Sequence, residues 1–168
     1  MNDRERQFSQ IFAENRNRIY RLCHTYLDNR NLVDDLFQEI WLHIWRSLPS
    51  FRGEAQVSTW AYRIAVNTAL LFNRQARRKR AEAPLDGAAG QTADGRRSPE
   101  EAAGKSQQLA QLRQAIAALP GPDRLLITLY LEGTSYRELS EIIGISVNHV
   151  GVRLNRIRQA LGKAMEKV

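Results

Sequence analysis

The sequence predicts an all-α chain built as two small helical domains joined by a flexible linker. Three observations carry that reading. Apolar residues recur three or four apart on both sides of residues 81–98, and no stretch alternates as a strand would. Residues 81–98 are rich in Ala, Gly, Pro and Asp and show no period. Charge divides at similar places: residues 1–80 carry 14 Lys/Arg against 8 Asp/Glu, residues 81–108 carry 3 against 5, and residues 109–168 carry 8 against 5. Two basic blocks therefore flank an acidic middle, within a chain of 168 residues and net charge +7. That balance suits two separate contacts with a polyanion, although a basic surface also serves solubility alone.

The first helix is expected from Asp3 to Asp28, with Phe8, Ile11, Phe12, Ile19, Leu22, Cys23, Tyr26 and Leu27 forming a buried stripe. Cys23 is the only cysteine. It has no disulfide or zinc partner, and its apolar face gives it a core role. Asn31 is the expected cap of a second helix running to about Leu48. Val33, Phe37, Ile40, Trp41, Ile44, Trp45 and Leu48 would fill its core face, with Leu36 and Leu42 widening the apolar surface sideways. A helix this apolar needs cover from a third helix, from another protein, or from both.

Pro49 ends that helix, and a loop follows to Val57. Ser58 is the expected cap of a third helix that runs towards Arg80 and ends in Arg74, Arg77, Arg78, Lys79 and Arg80. Such a run is often only a solvated tail. Here it extends a helix already bearing Trp60, Tyr62, Arg63 and Asn67. Rings stack on bases and cations hold phosphates, so this mixture suits single-stranded nucleic acid. The linker, about 18 residues long, would average roughly 20–25 Å end to end.

Ser98-Pro99-Glu100-Glu101 reads as the start of the next helix, with Leu109, Leu112, Ile116 and Leu119 on its apolar face. Pro120-Gly121-Pro122 separates it from a helix packed through Leu125, Leu126, Leu129 and Tyr130. Ser135 and Glu138 then form a capping box. Leu139, Ile142 and Ile143 make an apolar face, Gly144 ends the helix, and Ser146 can cap the last one. Val150, Leu154, Ile157 and Leu161 line the last helix's inner side. This is the layout of a helix-turn-helix, and equally of a plain helical hairpin with a basic outer face.

Nothing in the sequence suggests bond-making chemistry. The three histidines lie in different segments without metal-ligand spacing, and no glycine-rich phosphate loop is present. No cofactor is expected, and the protein is read as a non-enzyme. The charged N-terminus has no signal-peptide character, and no apolar run approaches the roughly 18 residues of a membrane span. The chain is expected in the cytoplasm without membrane insertion.

The segments in this order resemble a bacterial RNA polymerase sigma factor of the extracytoplasmic-function (ECF) group. Asp34–Trp45, Leu48–Gly53, Ser58–Asn67 and Leu119–Leu161 carry the resemblance. It implies sigma region 2 over residues 1–80, a linker over 81–98, and sigma region 4 with its helix-turn-helix over 99–168. Asp35, Gln38, Glu39 and Leu42 would then dock on the clamp helices of core RNA polymerase, with the flap as a further contact. Phe51, Arg52, Gly53 and Gln56 would form the pocket for a flipped base of the minus-ten element. Trp60, Arg63, Asn67, Arg74, Arg77 and Arg78 would hold the opened strand. Arg137, Asn148, His149, Val152, Arg153 and Arg156 would meet the minus-thirty-five element. Leu71 stands where the family often has a polar residue, and Gly151 where it often has lysine. An anti-sigma protein, which could hold the chain at the inner membrane, is a further expected partner. Two other readings stay open on the residues alone: a stand-alone helix-turn-helix regulator, and a helical adaptor that does not touch DNA.

Overall fold

The computed structural model describes residues 2–27, 29–82 and 103–166, and seven α-helices lie among them. The first, α1 (Asp3–Tyr26), starts at a capping box in which Asn2 accepts from the Glu5 N–H and Glu5 accepts from the Asn2 N–H. The two bonds satisfy N–H groups that a helix start leaves free. Ile11, Ile19, Leu22, Cys23 and Tyr26 are buried along one face. Buried Asn15 is satisfied locally, donating to the Ile11 carbonyl at 2.9 Å. The backbone turns extended at Leu27, just short of the expected end.

Helix α2 (Arg30–Ser47) starts earlier than expected. Its cap is Asn29, whose side chain accepts from the Asn31 N–H at 3.0 Å, so Asn31 lies inside the first turn. Leu36 is fully buried and belongs to the core face, while Leu42 remains 44% exposed. A short 3-10 turn (Leu48–Ser50) holds Pro49. Helix α3 (Val57–Glu82) begins before Ser58, which is therefore an interior residue and not the cap. These three helices pack on one another.

In the second half, α4 (Ala103–Ala117) packs along α7 (Val147–Glu166). The expected helix start at Ser98 lies outside the described residues, as does most of the linker. Helix α5 (Gly121–Leu131) buries five consecutive residues, Leu125 to Leu129, which a helix does only when surrounded. It touches α1 and α3 from the first half, and α6 (Tyr136–Ile143) and α7 from its own. The halves therefore rest against each other through α1 on α5 and α3 on α6. No helix among the described residues is long and apolar enough to cross a membrane.

Candidate nucleic-acid interface

On α3, Trp60, Arg63, Asn67, Leu71, Arg74 and Arg78 follow one another at intervals of three or four. That spacing puts them on one stripe of the helix. All are exposed except half-buried Trp60, and Leu71 is 51% exposed. The side chain of Arg77 is not among those described. The preceding loop is pinned to the stripe by Phe51, whose ring lies 5.0 Å from that of Trp60. Arg52, Gly53 and Gln56 are exposed around it, and Gly53 supplies the turn with a φ of 73°. Rings, amides and cations thus share one strip with no carboxylate among the six helical positions. That arrangement can stack bases and hold a phosphate backbone.

Tyr62 does not join this stripe. It faces the core, and Arg18 stacks on its ring with the guanidinium 5.0 Å from the ring centre. Burial pushes its hydroxyl up to about 12, against the pull of the Arg18 charge. Cys23 is buried as expected, and burial likewise pushes its thiol up to about 12. It is held as an inert thiol. Among the described residues, no group of three or more His, Cys, Asp or Glu could hold a metal ion.

On α2, Asp35, Gln38, Glu39 and Leu42 share a face. Asp35 and Gln38 are exposed, and Glu39 is partly buried. Beside them runs an aromatic groove of about 400 Å³, lined by Phe8, Phe12, Phe37, Trp41 and Trp45, with Gln38 and Leu42 at its edge. The rings interlock edge-on, with Phe12 4.7 Å from Trp41 and Phe8 5.2 Å from Trp45. The buried Trp41 Nε1–H has no partner among the described residues. The sequence marks this helix as over-apolar but not that α1 would supply half of the groove wall.

The helix-turn-helix is built as expected. Ser135 caps α6 in a reciprocal box with Glu138, whose carboxyl is held below its ordinary range by the Ser135 hydrogen bonds. Gly144 is left-handed, with a φ of 78°. Ser146 accepts from the His149 N–H at 3.3 Å at the start of α7. Asn148, His149, Val152 and Arg156 are exposed, and Arg137 is 88% exposed beside Glu141. Arg153 is different: its Nε donates to Asp123 on α5 at 2.5 Å, and the side chain is one-third exposed.

Three of the contacts between the halves illustrate what escapes sequence reasoning. Arg21 donates twice to the Glu132 carboxylate, at 2.7 and 2.6 Å. Hydrogen bonding to Glu132 raises the Arg21 guanidinium further, and Arg21 in turn holds Glu132 below the usual carboxylate range. Arg124 donates to the Tyr26 carbonyl at 2.9 Å. Arg63, the second residue of the α3 stripe, donates through Nε to the Glu141 carbonyl at 2.9 Å. The partners in the first and third of these lie 111 and 78 positions apart, so no local pattern announces them.

Comparison with known proteins follows the same division of the chain. The Sigma-70 region 2 family matches residues 11–79, and the Sigma-70, region 4 family matches residues 109–161. The chain is 34% identical over 169 residues to the ECF RNA polymerase sigma factor SigW of Bacillus subtilis, covering 94% of this chain and 88% of that relative. It is 28% identical to the RNA polymerase sigma-H factor of Pseudomonas aeruginosa, with 96% and 88% covered. Identity is also 28% to the ECF RNA polymerase sigma-E factor of Escherichia coli, at the same coverage. Two solved structures share the fold. One is CnrH in complex with the cytosolic domain of CnrY, with a TM-score of 0.69 at 21% identity over 97% of this chain and 90% of that one. The other is the sigma factor RpoE of Bartonella quintana in complex with the anti-sigma factor NepR, with a TM-score of 0.71 at 18% identity over 95% and 97%.

Proposed function

We infer, since the chain belongs to the ECF RNA polymerase sigma factors, that it binds core RNA polymerase, directs it to particular promoters and helps to melt the DNA there. The observation that carries this reading is the exposed α3 stripe from Trp60 to Arg78, with the Phe51 loop pinned to its start. Opening a duplex costs a few kcal/mol for each base taken out of the stack. Stacking on aromatic rings returns about 1–3 kcal/mol per base, so no nucleotide triphosphate need be spent on melting. In this division of labour Phe51, Arg52, Gly53 and Gln56 receive a flipped base, and Trp60, Arg63 and Asn67 hold the strand. Arg74, Arg77 and Arg78 add phosphate contacts without sequence choice.

Core polymerase docks on the α2 face of Asp35, Gln38, Glu39 and Leu42, where the aromatic groove supplies apolar area beside the polar contacts. Region 4, residues 99–168, anchors the upstream element through α7, and residues 81–98 let the two readers reach separate sites. The protein works in the cytoplasm and is not an enzyme. An anti-sigma protein covering both surfaces is the expected negative regulator. With Arg63 bound to Glu141 and α6 against α3, the described arrangement is closed. Promoter engagement therefore requires the halves to part.

Reconstituted transcription tests the partition. Trp60→Ala and Asn67→Ala should lower open-complex formation at least ten-fold while holding core affinity within about two-fold. Glu39→Lys should do the reverse. Equal loss of core binding in all three folded variants would refute the assignment of surfaces. Tight, sequence-specific duplex binding by the free chain, unchanged by core enzyme, would instead support a stand-alone regulator.

A further inference from the structure

The outward side of α7 is unusual in what it lacks. A helix facing a polyanion is expected to carry several free cations. Arg153 is tied to Asp123, and the Arg158 guanidinium sits 4.8 Å from the Tyr130 ring centre. Opposite the buried Val150, Leu154 and Ile157, the exposed positions between Asn148 and Gln159 are Asn148, Val152, Asn155, Arg156 and Gln159, with the exposed Lys163 one turn beyond them. Only one of these five is a cation. Val147 and Val152 are 47% and 46% exposed, and with Asn148, Gly151, Asn155 and Tyr136 they line an open cleft of about 700 Å³. The wall of that cleft is methyl, amide and aromatic, with no charged side chain.

Gly151 helps to keep the cleft open. A Cβ there would meet only Tyr136 Cε2, at 3.6 Å, so the glycine relieves no clash. Its effect is to leave room between Val147 and Asn155, one helical turn to either side.

The major-groove edges of the base pairs differ in what they offer such a surface. Thymine presents a C5-methyl group, which apolar side chains contact. Adenine presents N6–H and N7 together, which an Asn amide meets with two hydrogen bonds. Guanine presents two acceptors, which call for an Arg or Lys fork. The cleft has methyls and amides and no fork.

We propose that α7 selects A·T pairs in the upstream element, with Val147 and Val152 receiving thymine methyl groups and Asn148 and Asn155 reading adenine edges. Val152 and Asn155 are the specificity-determining pair, and Arg153 positions α7 on α5 without reading a base. The proposal rests on the reading of this chain as a sigma factor whose region 4 enters the major groove. It goes beyond that reading in naming the bases and in adding Val147 and Asn155.

The test uses the full chain bound to bacterial core RNA polymerase and a promoter pool randomised in the upstream window. The selected element should be rich in A·T pairs. On a selected promoter, replacing each contacted thymine by deoxyuridine removes only the methyl group. It should weaken holoenzyme binding about four-fold, the loss for one buried methyl group. Val152→Ala should abolish most of that sensitivity. Asn155→Ala should relax the preference at one adenine by about ten-fold. The deoxyuridine arm uses unaltered protein, so misfolding cannot mimic it. A guanine-dominated element, or indifference to the thymine methyls, would overturn the proposal while leaving the sigma function intact. Transcription that starts without any upstream preference would overturn both the proposal and the placement of α7 in the groove.

Discussion

Two glycines on neighbouring helices should respond oppositely to the same substitution. Gly144 sits at a φ of 78° with open space around its missing side chain. Gly144→Ala therefore meets no clash, and its cost is that of left-handed backbone, about 1–2 kcal/mol. Gly151 lies inside α7, with its nearest neighbour at ordinary contact distance. Gly151→Ala should raise stability by about 0.5–1 kcal/mol through the unfolded chain's lost freedom. Thermal or denaturant unfolding of the two variants checks both signs. Single residues also show where sequence patterns stop. Periodicity identifies Leu36 as apolar, but its burial depends on what lies beside α2. Tyr62 has the composition of a base-stacking residue, yet its position on α3 turns it to the core beneath Arg18.

At the scale of elements, the helix-turn-helix was legible because its signals are local. A capping box spans four residues, and a left-handed glycine one. Ser135→Ala removes the hydroxyl that accepts from the Glu138 N–H. It should cost about 1 kcal/mol, read as a lower unfolding midpoint with the far-ultraviolet helical signal retained below it. The box also has a pH signature. Glu138 is lowered in the folded chain, so its contribution is present above the ordinary carboxylate pKa of 4.5. It is lost as pH falls through the lower folded value. The stability difference between the wild-type chain and Ser135→Ala should therefore shrink with acidification below 4.5. Helix starts were less legible. Asn29 caps α2 where Asn31 was expected, because either residue offers the same side-chain acceptor and only backbone geometry chooses between them.

For the molecule as a whole, the docking of α1 on α5 is the feature with the greatest consequence. Its single bidentate ion pair, Arg21 with Glu132, is partly solvated and stabilises by no more than about 1 kcal/mol. Closer packing adds to it: a Cβ on Gly121 would lie 2.9 Å from the hydroxyl of buried Tyr26. Glu132→Ala and Gly121→Ala should each shift the population towards separated halves, with every helix intact. Fluorescence energy transfer between labels on α2 and α7 would report the increase in distance. An unchanged distance distribution in both variants would show that other contacts hold the closed form. Acidification should act in the same direction as Glu132→Ala, because the lowered Glu132 loses its charge only below the ordinary carboxylate range.

The sequence alone determined the helices, the caps of α6 and α7, the α3 stripe and the helix-turn-helix. All of these arise from residues within about one helical turn of each other, where spacing dictates geometry. Tertiary structure alone decided which cations remain free. Arg63 meets Glu141 across 78 positions and Arg153 meets Asp123 across 30. Both arginines carry the same charge in the sequence as Arg156, which stays exposed. The difference is the carbonyl or carboxylate that another helix brings within hydrogen-bond reach. Helix packing thereby ties Arg153 to α5 and leaves Arg156 exposed on the same helix.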